Sequence, residues 1–316
     1  METKAELKKQ KRALLWRRIK MNRQIYFLIL PTLIWLLVYS YVPMYGVILA
    51  WKDYYRSKGI IGSPWVGWEN FELLFAMPQF KRAMRNTIRI SLIRLLVTFS
   101  LPLILALLIN EVKSAGYRRS VQTLTYLPHF VSWVIIGGIV KNFLSYDNGA
   151  INNIIEYYGG TRVAFLNDPD YFITILMVAE IWKGTGWSSI IYLASIMGID
   201  QNMYEAAHLD GANRLKCAWY ITIPSIMATV AMNLVLAIAN IMNAGFDSIY
   251  NLYNPATYPV ADVIDTLSYR LFKEDLNWEL SAAVGIFKTS INFVLMLLAN
   301  IATKKMTGYS MYSFDN

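Results

Sequence analysis

The feature that most constrains this chain is a run of 28 residues, 24–51, that contains no charged side chain. About 20 apolar residues are enough for a helix to cross the hydrocarbon core of a bilayer. A secretory signal peptide has an apolar stretch of only about 7–15 residues before its cleavage site, so this run is too long to be one. It predicts a membrane-spanning helix that stays in the mature protein.

Five further stretches carry few or no charges. They are residues 87–110, 120–140, 171–199, 217–246 and 280–303. Hydrophobic residues make up 56% of the 316 residues and charged residues only 16%, against roughly 45–50% and about 25% in an average soluble domain. The sequence therefore predicts an all-α integral membrane protein with about six transmembrane helices, and it argues against an ordinary water-soluble enzyme.

The positive charge of the chain is concentrated in one tail. Residues 1–23 hold nine basic and two acidic side chains, which gives +7 of the total net charge of +9. Short segments rich in Lys and Arg stay on the cytoplasmic side of a membrane. We therefore expect a basic cytoplasmic tail at 1–23, a transmembrane domain at 24–303 and, after an even number of crossings, a cytoplasmic C-terminal tail at 304–316. Such a basic tail suits a lipid surface, and nucleic acid is not expected as a partner.

One group of charges disagrees with this orientation. Lys81, Arg82 and Arg85 precede the second helix on the predicted outer side. The basic tail is the stronger signal, so the predicted orientation is kept. An additional re-entrant or interfacial helix around residues 71–85 is the alternative.

The predicted inner connection between helices four and five, about residues 198–224, contains an unusual run. Asn202 can cap a helix whose third position is Glu205, where a negative charge complements the helix dipole. Ala206 and Ala207 leave a surface small enough for another chain to approach closely. This part of the connection therefore predicts a helix that begins at Asn202 and offers a surface to a partner.

This helix is expected to end in a sharp turn. Gly211, after Asp210, tolerates the left-handed conformation that ends many helices. Pro224 follows after an interval that fits a second short helix, and proline suits the first turn of the next membrane helix. The sequence therefore predicts a helix, an elbow and a second short helix beneath the bilayer.

The same segment resembles the cytoplasmic loop of the permease subunits of binding-protein-dependent ABC importers. The family pattern is Glu-Ala-Ala, three residues, Gly, nine residues, Ile, one residue, Leu-Pro, and only the Leu differs here, because Ile223 replaces it. The resemblance implies that the elbow seats in a cleft of an ATP-hydrolysing subunit and transmits its closure to the membrane helices. The residues to which it assigns this coupling are Glu205, Ala206, Ala207, Asp210, Gly211, Ile221 and Pro224.

Two further phrases are similar to the oligosaccharide and polysaccharide branch of the maltose-type sugar permeases. Residues 246–255 read Phe-Asp-x-Ile-Tyr-x-Leu-Tyr-Asn-Pro, and residues 278–287 read Trp-x-x-Ser-Ala-Ala-x-Gly-Ile-Phe. The resemblance covers most of the chain from Thr87 onward. It implies an oligosaccharide substrate, a bacterial cell-membrane location, a second homologous permease, two copies of the ATPase and an extracellular solute-binding protein.

The sequence lacks the common enzyme and metal motifs. No Gly-x-x-x-x-Gly-Lys-[Ser/Thr] phosphate loop occurs, so ATP hydrolysis is expected in a partner subunit. No nucleophile elbow or His-Glu-x-x-His motif occurs, and the single cysteine, Cys217, excludes an internal disulfide and a four-cysteine zinc site. No catalytic residue, cofactor or metal is expected.

Polar residues in the last three predicted helices are candidates for a substrate pathway. A charge at the bilayer centre costs roughly 2.5–3.5 kcal/mol on insertion scales, so such residues generally face the bundle interior or water. Glu180 and Lys183 share a helix face and can neutralise one another, with Trp187 on the same face. Polar residues that share one face of helix five, and others that share one face of helix six, complete the set of candidates. The candidates are Glu180, Lys183, Trp187, Asn233, Asn240, Asn243, Asp247, Ser281, Lys288 and Asn292.

These polar residues admit more than one interpretation. Three stripes indicate a shared wet cavity, whose amides, charges and rings suit a sugar. The alternative is hydrogen bonding between helices or to a partner permease, with Glu180 and Lys183 as a structural ion pair. A different class of protein, an ion-coupled secondary carrier, would use Glu180, Lys183 and Asp247 as its relay, but neither inverted repeats nor broken helices are evident to favour it.

Overall fold

A computed structural model describes residues 20–308 of the chain. Residues 1–19 and 309–316, which hold most of the two predicted tails, lie outside this range. Every regular element within it is helical, apart from an isolated bridge between Lys52 and Trp65, which confirms the predicted all-α class. The α-helices are α1 (Arg23–Leu36), α2 (Gly59–Gly62), α3 (Glu69–Ala76), α4 (Pro78–Asn110), α5 (Ala115–Tyr126), α6 (Trp133–Leu144), α7 (Ala150–Tyr157), α8 (Pro169–Met197), α9 (Gln201–Leu209), α10 (Arg214–Cys217), α11 (Ile223–Ser225), α12 (Met227–Ala239), α13 (Phe246–Leu252), α14 (Tyr258–Ala261), α15 (Ile264–Lys273) and α16 (Trp278–Thr307).

Three helical stretches are each long and apolar enough to cross a membrane. They are Arg23–Trp51, Pro78–Asn110 and Trp278–Met306. In the first of them, α1 continues directly into a π-helical segment and then into a 3-10 helix. No residue of α1 itself is buried, so its apolar side chains face the surroundings of this chain. These stretches correspond to the first, second and sixth predicted spans.

Two more predicted spans are bent. The bent pairs are Ala115–Phe130 with Trp133–Leu144, at 100°, and Arg214–Ser225 with Met227–Ala239, at 66°. The crossings expected over residues 120–140 and 217–246 are therefore each divided into two helices by a bend. In the second case the helix ends at Ala239, and the irregular segment 240–245 leads into α13.

The second predicted helix begins earlier than expected, at Pro78 instead of residue 87. Proline is well suited to the first turn of a helix because its missing N–H would have no helical partner there. Lys81, Arg82 and Arg85 thus lie on the first turns of α4, and Arg82 reaches the buried carboxylate of Asp262 at 3.8 Å. The region around residues 71–85 therefore comprises most of the short helix α3 and the first turns of α4.

The packing of α4 against α8 forms the centre of the fold. The helix α8 is 29 residues long and corresponds to the fourth predicted span. It is less apolar than the three stretches named above and is not one of the helices that hydropathy alone identifies as membrane-spanning. Ile90 of α4 and Leu176 of α8 are fully buried in one cluster with Ile249 of α13. A second cluster joins the start of α4 to α15 and α16 through Leu271, Val284 and their neighbours. These two clusters hold α13 and α15 beside the long helices.

Candidate functional site

The elbow begins with α9, which is capped by Asp200. The Asp200 carboxylate accepts the backbone N–H of Asn202 at 3.0 Å. The cap predicted at Asn202 is therefore wrong, because this residue already lies in the first turn of the helix. Glu205 and Ala206 are exposed on α9, and Ala207 is half-buried.

A glycine in the left-handed conformation ends α9. Gly211 has φ +77°, and the N–H of the following Ala212 donates to the carbonyl of Ala207 at 2.9 Å. Such a bond satisfies a carbonyl that the end of the helix leaves without a helical partner. Asn213 then caps α10 by accepting the N–H of Lys216 at 2.9 Å. The chain thus reverses through a tight turn between two helices.

The other predicted coupling residues follow this turn or adjoin it. Asp210 is exposed, and Ile221 is half-buried in the π-helical segment after α10. Pro224 lies in α11, before the 66° bend, so it does not open the long membrane helix as expected. The hydroxyl oxygens of Tyr204 and Thr222 lie 2.9 Å apart, which ties α9 to the segment that leads into α12.

The tip of the elbow is apolar and exposed. Leu209 is 89% exposed and Leu215 is 71% exposed. Tyr220, further along, is 80% exposed. Large apolar side chains exposed on both sides of a turn are a candidate surface for contact with another molecule.

Glu180 is bonded to other helices and not to Lys183. Its carboxylate accepts the Nε–H of Arg94 at 3.2 Å and the hydroxyl of Ser248 at 2.6 Å. The expected neutralisation of Glu180 by Lys183 is therefore wrong, because Arg94, absent from the predicted pathway set, supplies the opposite charge from α4. Gly245, with φ +91°, begins α13 directly beside this ion pair.

Lys183 instead stabilises the break between α5 and α6. Its ammonium donates to the backbone carbonyls of His129 and Val131. Trp187, one turn further along α8, stacks on the His129 ring at 4.4 Å with the ring planes nearly parallel. Lys183 therefore supplies donors to carbonyls that the 100° bend removes from regular helical bonding.

Three neighbouring cavities contain several of the predicted pathway residues in their walls. The first cavity, of about 650 Å³, is lined in part by Asn243, Ser281 and Lys288, and the third, of about 740 Å³, by Trp187, Asn233 and Asn240. The second cavity, of about 310 Å³, shares Arg94 and Asn243 with the first and Asn240 with the third. The shared lining residues make the three cavities neighbours. We call this row of cavities the polar track after the Arg, Asn, Ser and Lys side chains in its walls, although the wall of the third cavity is mostly apolar.

The polar stripe predicted on helix five is wrong as a helical face. Asn233 lies within α12, but Asn240 and Asn243 follow its end and Asp247 belongs to α13. Asn240 and Asn243 nevertheless reach the polar track, because the irregular segment 240–245 borders its cavities. Asp247 is exposed on α13 and lines none of the three cavities.

The three polar residues predicted to share one face of helix six have two different roles in the structure. Lys288 forms an ion pair with Asp265 of α15, and Ser281 lies 3.0 Å from the hydroxyl of Ser268. Asn292 accepts the backbone N–H of Met242 at 3.1 Å. Asn292 therefore links α16 to the irregular segment 240–245, which is close to the alternative interpretation of bonding between helices, whereas the other two line the first cavity.

An aromatic cluster beside the first cavity was not among the predicted pathway residues. The ring centroids of Phe246 and Tyr250 lie 5.2 Å apart, and Tyr269 contacts both rings at 5.3 and 5.1 Å. Lys273 donates to the Tyr269 hydroxyl at 2.7 Å, and this bond raises the pKa of Lys273 and lowers the pKa of Tyr269. The spacing of Phe246 and Tyr250 gives a helical pair, but the contact with Tyr269 on another helix has no signal in the sequence.

Known proteins that this chain resembles are components of membrane transport systems. Residues 98–308 match the family described as "Binding-protein-dependent transport system inner membrane component". The chain is 39% identical over 305 residues to the polygalacturonan/rhamnogalacturonan transport system permease protein YteP of Bacillus subtilis (strain 168), covering 96% of this chain and 95% of that protein. Two crystal structures of a bacterial alginate ABC transporter contain chains that are 43% and 42% identical, each with a TM-score of 0.86, covering 93% and 94% of this chain and 99% of theirs. The second is a complex with an alginate pentasaccharide-bound periplasmic protein.

Proposed function

Because the chain belongs to the family of binding-protein-dependent transport system inner membrane components, we propose that it is the permease subunit of an ATP-driven importer of oligosaccharides. The observation that carries the proposal is the elbow at residues 201–217. Its left-handed turn projects Leu209 from the fold, with Glu205 exposed on the same helix. A separate ATPase subunit would bind this elbow. When the ATPase subunit closes, the movement would pass through α11 and α12 to the polar track.

The proposed substrate is an oligosaccharide, with uronate-containing chains as the first to test. One relative is named for polygalacturonan and rhamnogalacturonan, and another imports the acidic polysaccharide alginate. Amides and hydroxyls suit sugar hydroxyl groups, and aromatic rings suit the apolar faces of pyranose rings. The candidate contacts along the track are Trp187, Asn233, Asn240, Asn243, Ser281 and Lys288, with Tyr250 and Tyr269 beside the first cavity.

The proposed assembly contains a second homologous permease, two copies of the ATPase and an extracellular solute-binding protein. The alginate complex with its periplasmic protein supports the last of these partners. In the proposed topology the three straight spans, the two bent pairs and α8 make six crossings of the bacterial cell membrane. Both termini would then lie in the cytoplasm, together with the elbow.

The geometry gives less support to an ion-coupled carrier. Such a carrier needs a relay of neighbouring titratable groups, but Glu180 is bonded to Arg94 and Ser248. Lys183 is occupied by backbone carbonyls, and Asp247 is exposed on a different helix. The three residues of the hypothetical relay thus face different neighbours.

Reconstitution of the four-component complex in liposomes tests the proposed function. Glu205→Ala is expected to lower substrate-stimulated ATP hydrolysis about tenfold, within the usual range of coupling effects. Glu72→Ala, which changes an exposed glutamate of α3, is the matched control and should have no effect. Uptake should require ATP and persist after ion gradients are collapsed. Unchanged stimulation and unchanged ATPase association in Glu205→Ala would refute the coupling role.

A further inference from the structure

Arg94 occupies a particular place on the polar track. It lines both the first and the second cavity, and it shares this boundary position with Asn243. Its side chain therefore lies at the boundary of the two cavities, within reach of a solute in either of them. The first cavity is lined by Lys288 as well, but that ammonium is already bonded to the Asp265 carboxylate.

The contacts of Arg94 hold it in place without using all of its donors. Its Nε donates to Glu180 at 3.2 Å and its Nη1 donates to the Asn243 carbonyl at 3.0 Å. A guanidinium group has five N–H donors, and these two contacts employ two of them. The Arg94 side chain is 32% exposed, whereas that of Glu180 is 7% exposed. The carboxylate is thus a buried anchor, and the exposed part of the guanidinium belongs to the cavity walls.

We propose that Arg94 is the specificity-determining residue that selects carboxylate-bearing sugars during passage. This inference rests on the proposed function. A planar guanidinium can bind a carboxylate through two parallel N–H donors, which a lysine ammonium cannot do with the same geometry. Glu180 and Ser248 fix the orientation of Arg94, so its remaining donors are directed before the sugar arrives. The recognised group is a uronate carboxylate, and a neutral sugar of equal size lacks that contact.

The test compares two probes in proteoliposomes that contain the complete complex and the binding protein. The probes are trigalacturonate and its fully methyl-esterified form, which keeps the length and the rings but lacks the charges. Arg94→Gln alone would leave Glu180 buried without its ion-pair partner, so the informative variant is Arg94→Gln combined with Glu180→Gln. We expect this double variant to take up trigalacturonate at least about tenfold more slowly relative to the ester than the wild type does. Arg82→Gln is the matched control, because Arg82 lies on the same helix beside a buried carboxylate but lines none of the three cavities.

A second variant keeps the proposal testable if the double variant assembles poorly. Glu180→Gln alone leaves Arg94 with its charge, so the preference for trigalacturonate over the ester should be retained or increased. Loss of that preference in Glu180→Gln would overturn the proposal. A wild-type ratio of the two probes in the double variant would overturn it too, as would equal slowing of both probes, because the ion pair would then be only a structural link. No uptake of either probe by the wild-type complex would contradict the proposed function instead.

Discussion

At position 211 the backbone conformation decides which residue can be present. Gly211 has φ +77°, and apart from its neighbours in the chain no atom lies within 4 Å of the place where a Cβ would stand. A residue with a Cβ pays roughly 1–2 kcal/mol in this conformation. Gly211→Ala is therefore expected to strain the turn without a clash, and to reduce substrate-stimulated ATP hydrolysis severalfold while the complex still assembles. Gly116→Ala at the start of α5, also without neighbours and without a positive φ, is the control. Equal activity of the two variants would contradict this account.

Two asparagines of the predicted pathway should respond differently to removal. Asn240 is exposed between the second and third cavities, and its two side-chain hydrogen bonds are exposed and local, to Leu236 and Asn243. Asn240→Ala is therefore expected to slow uptake and to change thermal unfolding less than Asn292→Ala does. Asn292 accepts the backbone N–H of Met242 in the irregular segment after α12, and the loss of such a bond costs about 1 kcal/mol. Asn292→Ala is therefore expected to lower the unfolding temperature of the purified complex. The opposite pattern would show that these two side chains exchange roles.

Among the elements, the bent pair α5 and α6 depends on a side chain from a third helix. Lys183 donates two hydrogen bonds to the carbonyls at this break, and bonds that involve a charged group contribute about 1.5–3 kcal/mol. Lys183→Met is expected to lower the thermal stability of the complex by an amount in this range. Lys141→Met, which changes an exposed lysine of α6, should leave the unfolding temperature as it is. A wild-type unfolding temperature in Lys183→Met would mean that the bend has other support.

The straight elements could be predicted from the sequence, and the bent ones could not. The spans at Arg23–Trp51 and Trp278–Met306 each contain a long stretch that is apolar enough to cross a membrane, and this property is local. The 100° bend and the irregular segment 240–245 are each bonded to a distant residue, the first by Lys183 to the Val131 carbonyl and the second by Arg94 to the Asn243 carbonyl. The same limit applies to the site. The elbow follows from a local pattern of small, acidic and glycine residues, whereas the partner of Glu180 comes from another helix.

For the whole molecule, the central quantity is the distance between the two ends of α8. Its 29 residues at about 1.5 Å each give a length of roughly 44 Å, which exceeds the hydrocarbon core of about 30 Å. We therefore expect Tyr158, before α8, and Leu209, after it, to lie on opposite sides of the membrane. Leu209→Cys and Tyr158→Cys, each made in a Cys217→Ala background, can be labelled with a membrane-impermeant maleimide. In intact cells only the Tyr158→Cys protein should react, and labelling of Leu209→Cys there would invert the proposed topology.

Gly245 lies where the helices α4, α8 and α13 meet. A Cβ at this position would lie 2.7 Å from the Ser248 hydroxyl and 3.1 Å from both Arg94 Nη1 and Glu180 Oε1. A single methyl group could therefore act as a wedge that separates the two opposite charges while leaving both of them in the protein. The attraction between Arg94 and Glu180, which helps to join the three helices, thus depends on the absence of a Cβ at Gly245 as well as on the two charges.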